Sequence, residues 1–308
     1  MQSYAEKLAR IIGASGWSQE ALSERLDVSF VSLNRWLNGK SEPRYKAKGQ
    51  IDLLVAEILG SDEVVRDNVL KLKKLALSKK MSVNTLLNNR EKLDMATVGL
   101  TYHSNATEGS TMTESDVAAV IFDHKVLRNR TAIEQREAIN HQTALHFLLD
   151  ELRSGGKDFE ITPELVKATH LRLMNGIISS AGEYRDHGAR IGGASVPLAN
   201  FIKIPSLISQ WTACVNEETS DPIALLATSH GDFEKIHPFS DGNGRTGRLI
   251  LFVMALRSGL VPPIIHKERR VAYYKYLELY QVRELSDPLE KFIAEAIVET
   301  SEQLGGIF

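Results

Sequence analysis

The spacing of apolar residues predicts helices along almost the whole chain. Ala21, Leu22 and Leu26, for example, share one face of a helix. Residues 182–201 differ, because they are rich in glycine and alternate locally, which favours a short hairpin. The longest apolar run, residues 249–256, suits a buried helix and is shorter than the roughly 18 residues expected of a membrane span. The predicted fold class is all-α, with one short β-hairpin.

Length and composition indicate a soluble protein with more than one domain. The chain has 308 residues, of which 43% are hydrophobic and 25% charged. A net charge of -2 argues against a generic polyanion binder, so any basic patch is local. The only cysteine, Cys214, excludes an internal disulfide. Because the first residues show no apolar leader, we expect a cytoplasmic protein without membrane attachment.

Residues 17–43 predict two short helices joined by a tight turn. Ser18 and Ser29 are suitable N-caps, and Asp27 and Val28 lie in the turn between the helices. Residues 28–50 carry five basic side chains against one acid, and positive charge provides most non-specific DNA affinity. A helix-turn-helix that binds DNA is therefore predicted. The alternative is a small helical bundle that contacts partners or the rest of the chain.

This stretch resembles the helix-turn-helix of Cro and phage repressors through the elements SQEALSERL and NGKSEP. The resemblance implies phosphate contacts from one group of side chains and base-edge contacts from another. The DNA-binding candidates are Gln19, Ser29, Phe30, Ser32, Asn34, Arg35 and Lys40.

Residues 237–248, HPFSDGNGRTGR, predict a phosphate site. The glycine spacing also matches dinucleotide-binding and Walker A loops. However, a helix is predicted before the motif where a strand is required, and Arg248 stands where a Walker loop has lysine. What these loops share is backbone N–H groups at a helix N-terminus, which bind anions. The motif therefore predicts a loop whose backbone N–H groups bind phosphate, here called a phosphate cradle, without the fold of either family of loops.

The polar residues of the motif indicate what is done to that phosphate. Arg245 and Arg248 lie one turn apart and offer two guanidinium groups. Asp241 is an oxygen ligand suited to Mg²⁺ on phosphates, and Asn243 can donate to a phosphate oxygen. His237 can take a proton near neutral pH. Together they predict phosphoryl or nucleotidyl transfer.

At full length the motif resembles the signature of the Fic family, H-P-F-x-D-G-N-G-R-x-G-R. The resemblance covers about residues 100–300 and implies a helical enzyme that transfers AMP from ATP to a Ser, Thr or Tyr hydroxyl of a target protein. It implies His237 as general base and Asp241 as the Mg²⁺ ligand. The phosphate-binding residues it implies are Gly242, Asn243, Gly244, Arg245 and Arg248.

A second motif lies upstream of the first. Ser104 and Glu108 share a helix face, and Gly109 is a natural helix terminator. A carboxylate at a helix C-terminus opposes the helix dipole, so a cationic partner elsewhere is expected. The segment resembles the inhibitory motif of the Fic family, which implies that Glu108 pairs with Arg248 and blocks productive ATP binding.

Two further regions carry weaker predictions. The run GEYRDHGARIGG resembles the family's target-docking flap, with Arg190, Ile191, Gly192 and Gly193 at its centre. Arg185 and Arg190 are also candidates for contacts with phosphates or acidic partners. Tyr273, Tyr274 and Tyr276 are candidates for the adenine pocket, although one helix cannot direct all three into one pocket.

The predicted organisation is a helix-turn-helix at residues 1–50, a helical segment at 51–99 and a catalytic domain at 100–308. The inhibitory helix covers about 92–109 and the flap 182–201. Residues 46–100 are a linker, a dimer interface or part of the core. The expected partners are ATP, a target protein, DNA and a second copy of the chain in a homodimer. The chain itself is one candidate for the target protein. The alternatives are transfer of another phosphate-containing group, removal of AMP, and an ATP-sensing transcription regulator.

Overall fold

The computed structural model describes residues 3–58, 63–190 and 196–305. Within these ranges the regular structure is helical, and an isolated antiparallel bridge between Lys80 and Leu260 is the one strand-like pairing. The predicted all-α class is confirmed. The first four helices are α1 (Tyr4–Ser15), α2 (Gln19–Arg25), α3 (Phe30–Leu37) and α4 (Tyr45–Ile58).

The N-terminal module folds around its own small core. Ser18 accepts a hydrogen bond from the N–H of Ala21, and Ser29 accepts one from Ser32, so both predicted N-caps are present. Asp27 takes a left-handed conformation in the turn between α2 and α3, with φ of 52°. The buried side chains of this core are Leu8, Ile11, Leu22, Leu26, Leu33, Trp36, Ala47, Ile51 and Val55.

The remaining helices form a larger body around one central helix. They are α5 (Glu63–Ser78), α6 (Val83–Leu87), α7 (Arg90–Thr107), α8 (Glu114–Ile121), α9 (Ala132–Gly155), α10 (Pro163–Met174), α11 (Ile204–Asn216), α12 (Pro222–Ile236), α13 (Asn243–Arg257), α14 (Arg270–Arg283) and α15 (Asp287–Gly305). Short 3-10 turns cover Gly156–Asp158, Phe201–Lys203 and Lys267–Arg269. Helix α13 packs against α7, α9, α10 and α12, and its residues 249–256 are all buried, as their uninterrupted apolar sequence predicts.

The segment before residue 100 belongs to this body. Ala76, Met81 and Leu86 share the main buried core with α13, and α5 packs along α15. Of the three roles considered for residues 46–100, the structure favours a part of the core for residues 76–100. The domain boundaries themselves stay predictions. No helix of the described residues has the length and apolar character needed to cross a bilayer.

Candidate active site

The loop between α12 and α13 is held in a tight turn by its own side chains. His237 follows α12 with φ of 51° and ψ of 62°, and Gly242 precedes α13 with φ of 74°. The Asn243 amide closes the turn, because its Oδ1 accepts from the N–H of Phe239 and its Nδ2 donates to Phe239 O, both at 2.8 Å. The Phe239 ring is fully buried. The loop is therefore a rigid link between two helices.

His237 is arranged as a neutral imidazole whose Nε2 has no hydrogen-bond partner among the described residues. Its Nδ1 lies 3.2 Å from the carbonyl oxygen of Glu234. A carbonyl can only accept, so Nδ1 carries the proton and Nε2 keeps its lone pair. Burial lowers the pKa of His237 below its ordinary value, and the bond to Glu234 O only partly opposes this effect. The imidazole can therefore accept a proton near neutral pH.

The loop presents one acidic side chain to solvent. The Asp241 carboxylate is 59% exposed, and its Oδ1 accepts from the N–H of Gly242 at 2.6 Å. Arg245, predicted to bind phosphate, is buried and pairs with Glu137 at 2.6 Å, while its second nitrogen lies 3.4 Å from Asp241. In this arrangement Arg245 supports the loop and leaves the Asp241 carboxylate accessible.

Arg248 is buried inside the molecule and is held by the upstream motif. Its Nε donates to Ser104 Oγ at 2.9 Å, and its Nη2 donates to Glu108 Oε1 at 2.6 Å. Glu108 is the C-cap of α7, the position that the sequence predicts. Burial alone would raise the pKa of Glu108, but the charge of Arg248 and their hydrogen bond hold it below its ordinary value. The predicted pairing of Glu108 with Arg248 is therefore present.

The start of α13 offers donors for an anion. The first intrahelical bond runs from the N–H of Thr246 to Gly242 O, so the preceding N–H groups have no partner within the helix. A Cβ at Gly244 would lie 2.5 Å from Glu108 Oε1 and 2.9 Å from Arg248 Nη1. Only glycine lets the backbone approach this ion pair so closely. Among the described residues, the buried Arg248 Nη1 has no hydrogen-bond acceptor.

The three tyrosines of α14 point in different directions. The Tyr273 hydroxyl is buried 2.7 Å from His230 Nε2, and Tyr276 is buried with its ring against Phe292. Tyr274 is 37% exposed, and burial raises its pKa while the nearby Glu108 raises it further. Tyr274 is thus the one of the three that is both exposed and close enough to Glu108 to feel its charge.

Two supporting residues were missed by sequence reasoning. His170 accepts from the N–H of Gly182 at its Nδ1, donates from Nε2 to Asp241 O at 2.9 Å, and stacks on Phe239 with ring centroids 3.6 Å apart. Glu137 is the partner of Arg245. No spacing in the sequence links α9 or α10 to the loop, so no local signal identifies them.

The flap candidates are only partly described. Arg190 is exposed, while Ile191, Gly192 and Gly193 lie outside the described residues. The described residues on either side, 182–190 and 196–200, form no strand. Arg185 does not have the role considered for it, because its guanidinium binds main-chain carbonyls and is buried.

The DNA-binding candidates lie on α2, on α3 and in the turns before and after α3. Asn34 donates to Gln19 Oε1 at 3.3 Å, which joins the two helices, and Ser29 and Ser32 share a hydrogen bond. Phe30, at the start of α3, is 42% exposed. Arg35 and Lys40 are also exposed.

A second cluster near α7 has the residue types of a metal site but not the geometry. His103, His266 and Glu268 place their ligand atoms within 4.8 Å of one another. The two imidazole rings stack at 4.2 Å between centroids, so their in-plane lone pairs do not converge on one point.

Comparison with known proteins finds similarity to two families. Residues 160–255 match the Fic/DOC family, and residues 7–47 match a helix-turn-helix family. A protein adenylyltransferase Fic from Nematostella vectensis is 30% identical over 201 residues, which cover 65% of this chain and 46% of that protein. A protein of the same name from Aedes aegypti is 28% identical over 249 residues, which cover 80% of this chain and 48% of that protein. The chain spans less than half the length of these curated relatives.

Solved structures show the same fold. Fic-1 from C. elegans superposes with a TM-score of 0.69 at 22% identity, covering 98% of this chain and 96% of that one. A Fic-domain signalling protein from Bacteroides thetaiotaomicron gives 0.63 at 20% identity, covering 78% and 98%.

Proposed function

We propose that the chain, whose residues 160–255 match the Fic/DOC family, is a protein adenylyltransferase that moves AMP from ATP to a Ser, Thr or Tyr hydroxyl of a target protein. The curated relatives carry the name of this activity. The observation that carries the proposal is His237, whose Nδ1 is committed to Glu234 O and whose Nε2 is open beside an anion cradle. A transferase acting on a hydroxyl needs a base in this state.

In this mechanism His237 Nε2 takes the proton of the target hydroxyl while the hydroxyl oxygen attacks the α-phosphorus. The bond from the α-phosphorus to its bridging oxygen breaks, and pyrophosphate leaves with that electron pair. The N–H groups at the start of α13 that have no partner within the helix, including that of Gly244, would bind phosphate oxygens. Arg248 would bind the terminal phosphate once Glu108 no longer occupies its guanidinium.

The loop also suits a Mg²⁺ ion that accompanies ATP. Asp241 offers a hard oxygen donor that is largely exposed. A single protein carboxylate with phosphate oxygens and water is a common environment for Mg²⁺. Asp241 would hold the ion, which would neutralise phosphate charge and orient the ATP.

We further propose that Glu108 inhibits the enzyme. Its carboxylate occupies Arg248, the residue assigned to the terminal phosphate, at 2.6 Å. ATP that binds without Arg248 would place its α-phosphorus out of line with the attacking hydroxyl. Misplacement by about 1 Å can cost on the order of 100-fold in rate.

Intact mass spectrometry after incubation with ATP and Mg²⁺ tests both statements. We expect one added AMP on Glu108→Gly and none when His237→Ala is combined with it. Glu284→Gly is the matched control, because Glu284 is also an exposed helix C-cap and lies at the end of α14. ATP binding without AMP on Glu108→Gly would contradict the transferase proposal. It would favour another donor, AMP removal or an ATP sensor, which AMP-modified substrates and operator binding then separate.

A second proposal is that the N-terminal module binds DNA. It rests on the helix-turn-helix match and on the exposure of Arg35 on α3 and Lys40 just after it. We expect binding to a mixed-sequence duplex to weaken with salt, and Arg35→Ala with Lys40→Ala to reduce the salt slope by about 1 to 2. Lys157→Ala, an exposed lysine on the other body, should leave it unchanged. Binding that does not depend on salt would contradict this proposal.

A further inference from the structure

Arg185 is a buried cation whose side-chain hydrogen bonds, within the part of the chain that the structure describes, all go to main-chain oxygens. It is 3% exposed. Its Nε donates to His237 O at 2.8 Å, and its Nη1 donates to His187 O at 2.6 Å. Its Nη2 donates to Ala199 O at 2.6 Å and, at 3.4 Å, to Ile236 O. No carboxylate of the described residues forms an ion pair with it. Such a group keeps its charge buried only because several carbonyl dipoles surround it.

Two of these bonds hold the backbone of the proposed base. Ile236 O and His237 O lie at the C-terminal end of α12, where carbonyls lack helical partners and a positive charge is favoured. His237 has φ of 51°, a conformation that a side chain other than glycine adopts only at an energetic cost. The Arg185 backbone also donates its N–H to Pro238 O at 2.9 Å. Arg185 therefore forms hydrogen bonds to the main chain before, at and after His237.

The other two bonds hold both ends of the predicted flap. His187 lies before residues 191–195 and Ala199 lies after them. Both carbonyls bind the same guanidinium that holds His237 O. The planar fork of arginine fixes these directions relative to one another, which a lysine ammonium cannot do.

We propose that Arg185 is a positioning residue that holds the backbone of His237 against the chain at His187 and Ala199, so that His237 Nε2 is aimed at the incoming hydroxyl. This rests on the proposed transferase function. Arg185 does not contact Asp241, Arg248 or the N-terminus of α13, so its loss should act on the transfer step and leave ATP affinity unchanged.

The first test measures AMP transfer in the Glu108→Gly background with Arg185→Lys and Arg185→Met. We expect kcat to fall about 10-fold for lysine and about 100-fold for methionine, with the Kd for ATP within twofold. Arg172→Met is the matched control, since Arg172 donates to one helix carbonyl, Ala168 O, away from the loop. An unchanged kcat in both variants, or a loss confined to ATP binding, would overturn the proposal. Should the methionine variant fail to fold, the lysine variant decides.

A second measurement does not depend on activity. Imidazole ¹⁵N spectra of the full chain should show His237 as a single Nδ1–H tautomer, because that proton is committed to Glu234 O. In Arg185→Lys we expect tautomer averaging at His237, and in Arg172→Met none. An unaltered His237 signal in Arg185→Lys would overturn the positioning role. If Glu108→Gly transfers no AMP, the transferase proposal fails, and this spectrum still decides the role of Arg185.

Discussion

Replacing Glu108 should release Arg248 and increase the transfer rate, and the contacts of the pair give the size of this increase. The Glu108 carboxylate lies 2.6 Å from Arg248 Nη2, on a guanidinium that is 2% exposed. Glu108→Gly removes the bond and the charge. Glu108→Gln keeps the shape and an oxygen that accepts from Arg248, and it removes only the charge.

Hydrogen bonds between charged groups contribute about 1.5–3 kcal/mol. Because 34% of the Glu108 side chain is open to water, the lower part of this range, about 1.5–2 kcal/mol, applies. Each 1.36 kcal/mol corresponds to a factor of ten, so Glu108→Gly should increase the productive population, and with it the rate, about 10- to 30-fold. A hydrogen bond from Arg248 to a neutral amide oxygen retains about half of this energy. The rate of Glu108→Gln should therefore exceed that of wild type by only about fivefold.

The assay is the initial rate of AMP incorporation at saturating ATP, with Glu284→Gly as the control. The expected order of rates is glycine, then glutamine, then wild type. A glycine variant as slow as wild type would refute the inhibitory role of the pair. A glutamine variant as slow as wild type, beside a fast glycine variant, would show that shape and not charge blocks the site.

Three further predictions follow from buried ionisable groups. Because the pKa of His237 is lowered by burial, its neutral form persists below its ordinary pKa of 6.5, and kcat/KM should fall only as pH drops through that lower value; an acidic limb at or above 6.5 would contradict this. Burial raises the pKa of Glu234 to about 8, so its stabilising contribution is full below about 4.5 and is lost as pH rises through 8. Glu234→Gln should therefore raise Tm relative to wild type more at pH 9 than at pH 5, and equal shifts would count against this. Lys73 is buried 2.5 Å from Glu290, so Lys73→Met should lower the free energy of unfolding by about 3 kcal/mol. The same change at the exposed, paired Lys125 should lower it by less than about 0.5 kcal/mol. Denaturant titration measures both values, and equal losses would refute the role of burial.

Local features of the fold were readable because their causes lie within a few residues. The caps Ser18 and Ser29 bond to N–H groups three residues on, and α13 is buried where its sequence is apolar on all sides. The same holds for the loop, whose glycines and arginines fall within twelve residues. Glu108 could be placed at the end of α7 because Gly109 follows it.

Other predictions needed the neighbours of each side chain. Tyr273, Tyr274 and Tyr276 were equivalent candidates in the sequence, and packing against His230 and Phe292 separates them. From the sequence, Arg185 was a candidate for contacts with phosphates or acidic partners. The structure shows that it binds main-chain carbonyls instead, and these carbonyls come from separate parts of the chain.

The sequence by itself determined the helical class, the helix-turn-helix pattern and the chemistry that the loop can offer, since these depend on residue type and on spacings of one or two turns. The pairing of Arg248 with Glu108, 140 residues away, was expected only from the family resemblance, and the tertiary structure supplies its geometry. The tertiary structure alone decided that Arg185 reaches His237 O, 52 residues away. It also decided that His170 supports Asp241. Contacts of this kind form when apolar faces of distant helices pack together, and the position of each polar group among them is then set by the whole core.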